Sequence, residues 1–199
     1  MPEKSAPNFH QMLSWLMTEV IYARAHMTIV KGLKRADRGV VNAAPVFFDM
    51  TMRTHADSVV LIASKLFDHH RGSISIHALL PEALRHAGTF KHGTAVEVRK
   101  IVGEAKACIS SLEPILKAIH KRRNETMAHS DPGPIVDPHQ YVQEGRVSYP
   151  ELDSLFEQTG MILNRFFQLY RGFPAPLDFV DVNDYKKALD LIAVGLRSS

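Results

Sequence analysis

The chain has 199 residues, of which 45% are hydrophobic and 23% are charged, and these proportions are ordinary for a globular protein. Its formal net charge of +3 excludes a polycationic tail or groove but is compatible with nucleic-acid binding. The single cysteine, Cys108, excludes a disulfide within the chain, and no apolar run approaches the ~18 residues of a membrane span, so we expect a cytoplasmic protein that does not act at a membrane.

Helical periodicity begins near the start of the chain. Apolar residues between Met12 and Ile21 recur three or four positions apart, and Asn8 precedes them as a suitable N-cap. This pattern predicts a helix over residues 9–34. Gly39 and Pro45 then predict a break.

The second helical pattern is the clearest in the chain. Apolar residues from Phe48 to Leu66 alternate spacings of four and three, which predicts a helix that ends before Gly72. His55 lies on this apolar seam, and we expect it to be a hydrogen-bonded histidine of the core rather than a catalytic group. A shorter helix is predicted over residues 76–86.

The next helix has a strong start signal. Thr94 is followed by Glu97 three residues later, which is the pattern of a capping box. An apolar stripe runs from Val98 to Leu112, where Cys108 is expected to be an inert core residue. Pro114 predicts a kink or a restart, and the stripe then continues toward Arg123.

The last third of the chain contains a long segment without helical periodicity. Residues 131–149 carry three prolines and two glycines and are interpreted as an ordered excursion or a weak hairpin. Helices are predicted over residues 150–170 and from Asp184 onward. We therefore expect residues 1–199 to form a single all-α domain, a bundle of about five to six helices.

The segment KRRNETMAHSDP, residues 121–132, ends the longest helical pattern with an unusual set of polar side chains. Asn124 follows Arg123 directly, and five residues separate Arg123 from His129, which the small Ala128 precedes. This arrangement resembles the signature of the HEPN superfamily, an arginine and a polar residue before a histidine at the end of a late helix. The segment LIASKLFDHHRGSISIHALL, residues 61–80, also resembles the AbiU-like, abortive-infection branch, and the likeness covers roughly residues 9–170.

The resemblance implies a metal-independent endoribonuclease of the toxin or phage-defence type, which needs no cofactor and has RNA as its substrate. Such enzymes use the 2′-hydroxyl of RNA to attack the neighbouring phosphate. Arg123 would stabilise the charge that develops on phosphorus, because its guanidinium is planar and permanently protonated. His129 would be the general acid or base, and Asn124 would position the phosphate or the histidine.

The spacing of the motif raises a geometric question. Residues six apart on an ideal helix differ by about 120° in direction and ~9 Å along the axis, so Arg123 and His129 would not share a face. The last turn could unwind before Asp131-Pro132, because a residue before proline avoids the helical region. Alternatively, a homodimer of the kind typical of the superfamily could bring two motifs into one cleft. An antitoxin or a regulatory protein would be a further partner.

Each of these residues also has a simpler interpretation. Arg123, Asn124 and His129 could form an exposed helix end that is stabilised by the helix dipole. Asp68 could pair with Arg123 or orient His129, but it could equally be a polar residue near a helix end. The alternative function is a non-catalytic HEPN-fold module that binds RNA, a nucleotide or a protein.

Two further features bear on metals and on regulation. Histidines at positions 69, 70, 77, 86 and 92 match no familiar spacing of metal ligands, so we predict no metal site. In some HEPN toxins a tyrosine two residues after the motif histidine is modified by nucleotidyl transfer. Asp131 occupies that position here, so this mode of control is not expected.

Overall fold

A computed structural model describes residues 8–124, 147–177 and 182–198 of the chain. Over these ranges the protein is entirely helical and contains no β-strand, which confirms the predicted all-α class. The described part contains seven α-helices and one 3-10 turn: α1 (Phe9–Arg35), α2 (Arg38–Ala43), α3 (Pro45–Leu66), α4 (Ile76–Arg85), the turn (Ala87–Thr89), α5 (Ala95–Arg122), α6 (Tyr149–Arg171) and α7 (Asp184–Ser198).

Local capping signals set the starts of the three longest helices. A capping box is present at the start of α1 at Asn8, at the start of α5 at Thr94 and at the start of α6 at Ser148. At the start of α5, the backbone N–H of Thr94 donates to Glu97 Oε2 at 2.7 Å, and the Thr94 hydroxyl accepts from the Glu97 N–H at 3.2 Å. These bonds satisfy backbone donors that the first helical turn leaves without partners, and they confirm the predicted cap.

The predicted break between the first two long helices contains a helix of its own. Asp37 caps α2 by accepting from the backbone N–H groups of Gly39 and Val40 at 2.7 and 3.3 Å. Pro45 then lies at the start of α3, where a helix loses nothing by the missing N–H. This short helix explains why the described part has one more helix than the five to six expected.

The predicted restart at Pro114 is wrong, because α5 runs through this residue without interruption. Leu112 and Leu116, on either side of it, are both buried in the core, as is Ile119 one turn later. Burial of this continuous apolar stripe offsets the one backbone hydrogen bond that the proline cannot make.

The main core lies where α1 and α5 pack against α3, α4 and α6. A second, smaller core joins the end of α1, α2 and the start of α3 to α7. It consists of Leu33, Val40 and Phe48, against which Tyr185 and Leu189 of α7 are packed. The described helices include none that is both long and apolar enough to cross a bilayer.

The prediction of a single domain over residues 1–199 stays a prediction. Of the predicted excursion at 131–149, residues 131–146 lie outside the described part. Its last residues belong to the start of α6, which begins at Tyr149 after its cap at Ser148. The helix pattern that was predicted from residue 150 therefore begins one residue earlier.

Candidate functional site

The C-terminal end of α5 places two of the three predicted motif residues in direct contact. The Arg123 guanidinium donates from Nε and from Nη2 to Asn124 Oδ1, at 3.0 and 2.8 Å. Both residues lie in a wider, π-type turn, a feature that is frequent at functional sites. Asn124 is exposed and Arg123 is half-buried, so the pair lies at the surface of the described part of the chain.

His129, the third motif residue, lies outside the described residues, as do Ala128 and Asp131. The proposal that His129 and Arg123 belong to one site therefore stays a prediction. Asp68, the suggested supporting residue, is half-buried in the segment after α3, and its Oδ1 accepts from the backbone N–H of His70 at 2.9 Å. No bond between Asp68 and Arg123 appears among the described contacts, and the proposed role of Asp68 also stays a prediction.

Arg122, the neighbour of Arg123, has a different partner. Its Nη2 lies 3.2 Å from Asp57 Oδ1, so this ion pair connects the end of α5 to α3. Both side chains are more than a third exposed, so water screens the pair and its contribution to stability is small. Arg122 thus helps to place the helix end from which Arg123 reaches its own partner.

A cluster of three histidines, His69, His77 and His120, lies beside Arg123, and the sequence did not predict it. His120 precedes Arg123 by one helical turn and is half-buried. The rings of His69 and His77 stack with centroids 3.8 Å apart, and the buried Nε2 atom of His77 has no hydrogen-bond partner among the described residues. The i, i+3 spacing of His120 and Arg123 was the signal available in the sequence.

The environment of His120 and His77 favours their neutral forms. Burial lowers the pKa of His120, and the positive charges of Arg123 and of His69 lower it further, whereas Asp68 and Glu113 oppose the change. Burial likewise lowers the pKa of His77, again with a contribution from His69. A neutral imidazole has a free lone pair, so the rings of His120 and His77 can act as proton or hydrogen-bond acceptors.

The AbiU2 family model of the HEPN group matches residues 6–191 of this chain. The chain belongs to the AbiU2 family. No curated protein and no solved structure matches it. The matched range contains the Leu-Phe-Asp segment at residues 66–68 and the whole motif from Arg123 to His129, so the resemblance seen in the sequence is confirmed. Membership of this family is consistent with a ribonuclease or with a nucleotide-related module.

The AbiU2-family protein also has a cavity of about 430 Å³ that Arg122 helps to line. It lies between α1, α3, α5 and α6, and its lining includes Lys34, Val59, Arg122 and Tyr149. The Lys34 ammonium lies 4.4 Å from the centroid of the Tyr149 ring. The cavity therefore combines an apolar wall with two cationic side chains and an aromatic ring.

Other histidines and the cysteine of this AbiU2-family protein have structural partners. Nδ1 of His55 lies 2.6 Å from Nδ1 of His26, which confirms the expected hydrogen bond, although both rings are half-buried rather than part of the core. The Cys108 thiol donates to Gln158 Oε1 at 3.0 Å, and burial raises its pKa, which disfavours a reactive thiolate. Within the described ranges no group of three or more histidine, cysteine or acidic residues is placed to hold a metal ion.

Proposed function

We propose that this protein is a metal-independent endoribonuclease of the toxin or phage-defence type, which cleaves RNA by attack of its own 2′-hydroxyl. The observation that carries this proposal is the Arg123 guanidinium, held by Asn124 beside half-buried histidines in a chain of the AbiU2 family. We expect the protein to act in the cytoplasm as a homodimer, with an antitoxin or a regulatory protein as a further partner.

The role of Arg123 follows from the geometry of its hydrogen bonds. Asn124 engages Nε and one Nη atom, so the plane of the guanidinium is oriented before any substrate binds. Groups that are already oriented toward a developing charge stabilise a transition state without a reorganisation cost. Arg123 would therefore stabilise the negative charge that grows on the phosphate oxygens, and Asn124 would maintain its direction.

His129 would transfer a proton in the same reaction. Histidine is suited to this role because its usual pKa lies close to neutral pH, so both protonation states are populated. This chemistry asks for no metal ion, because the positive charge comes from Arg123 and the proton from a side chain.

The decisive experiment is incubation of purified protein with structured and unstructured RNA in the presence of EDTA. We expect cleavage to continue under chelation and to leave 5′-hydroxyl ends, which labelling with a polynucleotide kinase detects. Loss of cleavage in EDTA that zinc or manganese restores would contradict the metal-independent mechanism. In that case a metal-dependent mechanism would replace the one proposed here.

A second candidate function is a non-catalytic module that binds RNA or a nucleotide. The cavity lined by Lys34, Arg122 and Tyr149 favours it, since an aromatic ring and two cations suit a base and a phosphate. The modest net charge of +3 also favours binding of a small ligand over a long polyanion. An intact protein that binds RNA or nucleotide but cleaves none of the RNAs would select this function.

A further inference from the structure

A groove of about 590 Å³ lies between the last two turns of α1 and the first turns of α7. Lys31 and Arg35 line it from α1, and Tyr185, Lys186 and Asp190 line it from α7. Asp190 follows Lys186 by one helical turn and offsets part of the positive charge. Among the described residues, none lines both this groove and the cavity described above, so the groove is a separate feature of the surface.

The wall that α1 contributes to the groove is basic. Residues 20–35 contain two lysines, two arginines and no acidic residue, although the whole chain has 24 basic and 21 acidic residues. Lys31 and Arg35 are four residues apart, so their side chains leave the same face of the helix, ~6 Å apart along its axis. Helix α1 therefore presents a row of positive charge to the groove.

Two of the cations in the groove are available to an anionic ligand. Lys31 is in an ion pair with Asp153 of α6, which neutralises it in part. Arg35 and Lys186 are exposed, and neither is in an ion pair with another described residue. Lys186 Nζ instead donates to the uncharged Oδ1 atom of Asn183 at 3.0 Å. Arg35 on one wall and Lys186 on the other are therefore the groups that an anion in the groove would contact.

The end of α1 connects the groove to the proposed cleavage site. Lys34 and Arg122 line the neighbouring cavity, and Arg122 directly precedes Arg123 in the chain. Lys34 is also adjacent to Arg35 and lies ~4.5 Å beyond Lys31 along the helix axis. Only the last turn of α1 therefore separates the cavity from the groove, and cations follow one another from the motif to the groove.

The groove suits phosphate groups better than bases. The Tyr185 ring is packed against Gly32 and the smaller core, so it is not placed as an open platform on which a base can stack. An arginine can donate two parallel hydrogen bonds to a phosphate, and a lysine contributes a point charge. The volume of the groove is that of a site for a drug-sized ligand, which corresponds to about one or two nucleotides and not to a duplex.

We propose that the groove between α1 and α7 binds phosphate groups of a single RNA strand whose cleaved bond lies at Arg123, with Arg35 and Lys186 as the contacts. The inference rests on the proposed RNA substrate and adds a binding site for it away from the motif. Phosphates carry no sequence information, so these contacts position the strand without selecting bases.

The test measures binding of a fluorescent RNA of about 16 nucleotides that carries a 2′-O-methyl group on every ribose. This probe cannot be cleaved by its own 2′-hydroxyl, so binding is separated from cleavage. The double variant Arg35→Gln, Lys186→Gln removes the two proposed contacts. The double variant Arg99→Gln, Lys100→Gln is the matched control, because it also removes one exposed arginine and one exposed lysine, near the opposite end of α5 from Arg122.

The dependence of the dissociation constant on salt gives the expected size of the effect. Each phosphate contact of a single strand contributes about 0.7 to the slope of log Kd against log salt concentration. The groove variant should therefore have a slope smaller by about 1.4 and, at about 0.1 M salt, a Kd roughly 25-fold higher than the wild type. The control variant should match the wild type. Each single substitution should give half the change in slope, so the test holds even if the double variant fails to fold.

Three results would overturn the inference. The first is a Kd and a slope in the folded groove variant equal to those of the wild type. The second is an equal loss in the control variant, which would show that only total charge matters. The third is binding of uridine monophosphate as tight as that of the oligomer, with both weakened equally in the groove variant, since the groove would then be a site for a free nucleotide.

The ribonuclease proposal fails on a different measurement. Absence of cleavage of unmodified RNA by the wild type would overturn that proposal, whereas binding of the uncleavable probe through the groove would stand. Wild-type cleavage together with unchanged probe binding by the groove variant would overturn the groove and leave the ribonuclease proposal intact.

Discussion

Arg122 and Arg123 are adjacent in the chain, yet their side chains have different partners. Arg122 pairs with Asp57 on α3, whereas Arg123 donates two hydrogen bonds to Asn124. A substitution of Arg122 removes a screened ion pair worth roughly 0–1 kcal/mol of stability. A substitution of Arg123 removes the oriented guanidinium of the proposed site. We therefore expect substitution of Arg122 to change stability slightly and substitution of Arg123 to change RNA cleavage.

The first prediction concerns Arg123. Arg123→Ala should lower the rate of RNA cleavage by about 10²–10³-fold, in line with the loss of one oriented donor to a developing oxyanion. Arg123→Lys should recover only part of this loss, because lysine keeps the charge but not the planar pair of donors. Initial rates on a labelled RNA measure the effect.

Arg99→Ala provides the control for that comparison, since Arg99 is exposed near the other end of the same helix. It should cleave RNA as the wild type does. If folded Arg123→Ala retained the wild-type rate, the motif would be only an exposed helix end, and its substitution would change stability by about 0.3–1 kcal/mol through the helix dipole.

At the scale of helices, the packing of α1 on α3 includes a pair of histidines. The Nδ1 atoms of His26 and His55 lie 2.6 Å apart, a distance that requires one of the two to carry a hydrogen and the other to accept it. Burial lowers the pKa of both rings below their ordinary value of 6.5, and for His26 the charge of His55 contributes as well. The neutral pair is therefore the folded form.

The second prediction is that acid weakens this helix contact. Because the pKa of each ring is lower in the folded than in the unfolded protein, the unfolded chain binds more protons as the pH falls below about 6.5. The stabilising effect of the pair is complete above pH 6.5 and is lost progressively below it. The temperature at the midpoint of thermal unfolding should therefore decrease when the pH is lowered from 7.5 to 5.5.

His55→Gln should reduce the dependence of the unfolding midpoint on pH. Part of this dependence should remain in the variant, because His10, His77 and His120 also have lowered pKa values. His70→Gln, at an exposed position, should leave the pH dependence as it is in the wild type. An identical pH slope in His55→Gln and wild type would show that the pair does not contribute.

The third prediction concerns the contact between α1 and α7. A Cβ atom at Gly32 would overlap the phenol ring of Tyr185, whereas a Cβ atom at Gly103 of α5 would meet no atom of the described residues within 4 Å outside its own stretch of helix. Gly32→Ala should therefore displace Tyr185 from the smaller core and make α7 more accessible to limited proteolysis. Gly103→Ala should instead raise the free energy of unfolding by about 0.5–1 kcal/mol, because alanine has the higher helix propensity.

The double variant Gly32→Ala, Tyr185→Ala distinguishes the clash from other effects of the glycine. With the phenol ring removed, the added methyl group should cost no further stability relative to Tyr185→Ala alone. A loss of equal size in both backgrounds would mean that the overlap with Tyr185 is not its cause.

At the scale of the whole molecule, the proposed function requires Arg123 and His129 to act on one phosphate. On a continuing helix these residues would point about 120° apart, so one straight helix cannot direct both at the same phosphate. A site built from two chains removes this restriction, since the arginine and the histidine can then come from different copies. We therefore expect an obligate dimer in sedimentation experiments, and a dilute, active monomer would contradict it.

The fourth prediction tests this arrangement by mixing variants. Arg123→Ala and His129→Ala should each be inactive alone, but heterodimers formed after mixing would combine the intact arginine of one chain with the intact histidine of the other. RNA cleavage should therefore return after subunit exchange. If the mixture stayed inactive although exchange had been demonstrated, the site would lie within one chain, with the last turn unwound before Asp131-Pro132.

The sequence by itself determined the class of this protein and most of its helices. Capping residues such as Asn8 and Thr94 act on backbone groups three residues away, and an apolar stripe with a period of 3.6 needs no knowledge of distant residues. The contact between Arg123 and Asn124 also depends on the sequence alone, because adjacent residues at a helix end need no tertiary packing to meet. At Pro114 the local signal left a kink or a restart open, and the restart does not occur, because burial of the stripe on both sides offsets the lost hydrogen bond.

Only the tertiary structure decided which side chains meet across helices. An apolar stripe shows which face of a helix is buried, but it does not identify the helix that covers this face. The stacking of His69 on His77, the nearness of this pair to His120, the contact of His26 with His55 and the pairing of Arg122 with Asp57 all depend on how the helices pack. Burial and neighbouring charges act over a few ångströms of space, so the lowered pKa of His120 arises only once that packing brings those groups together.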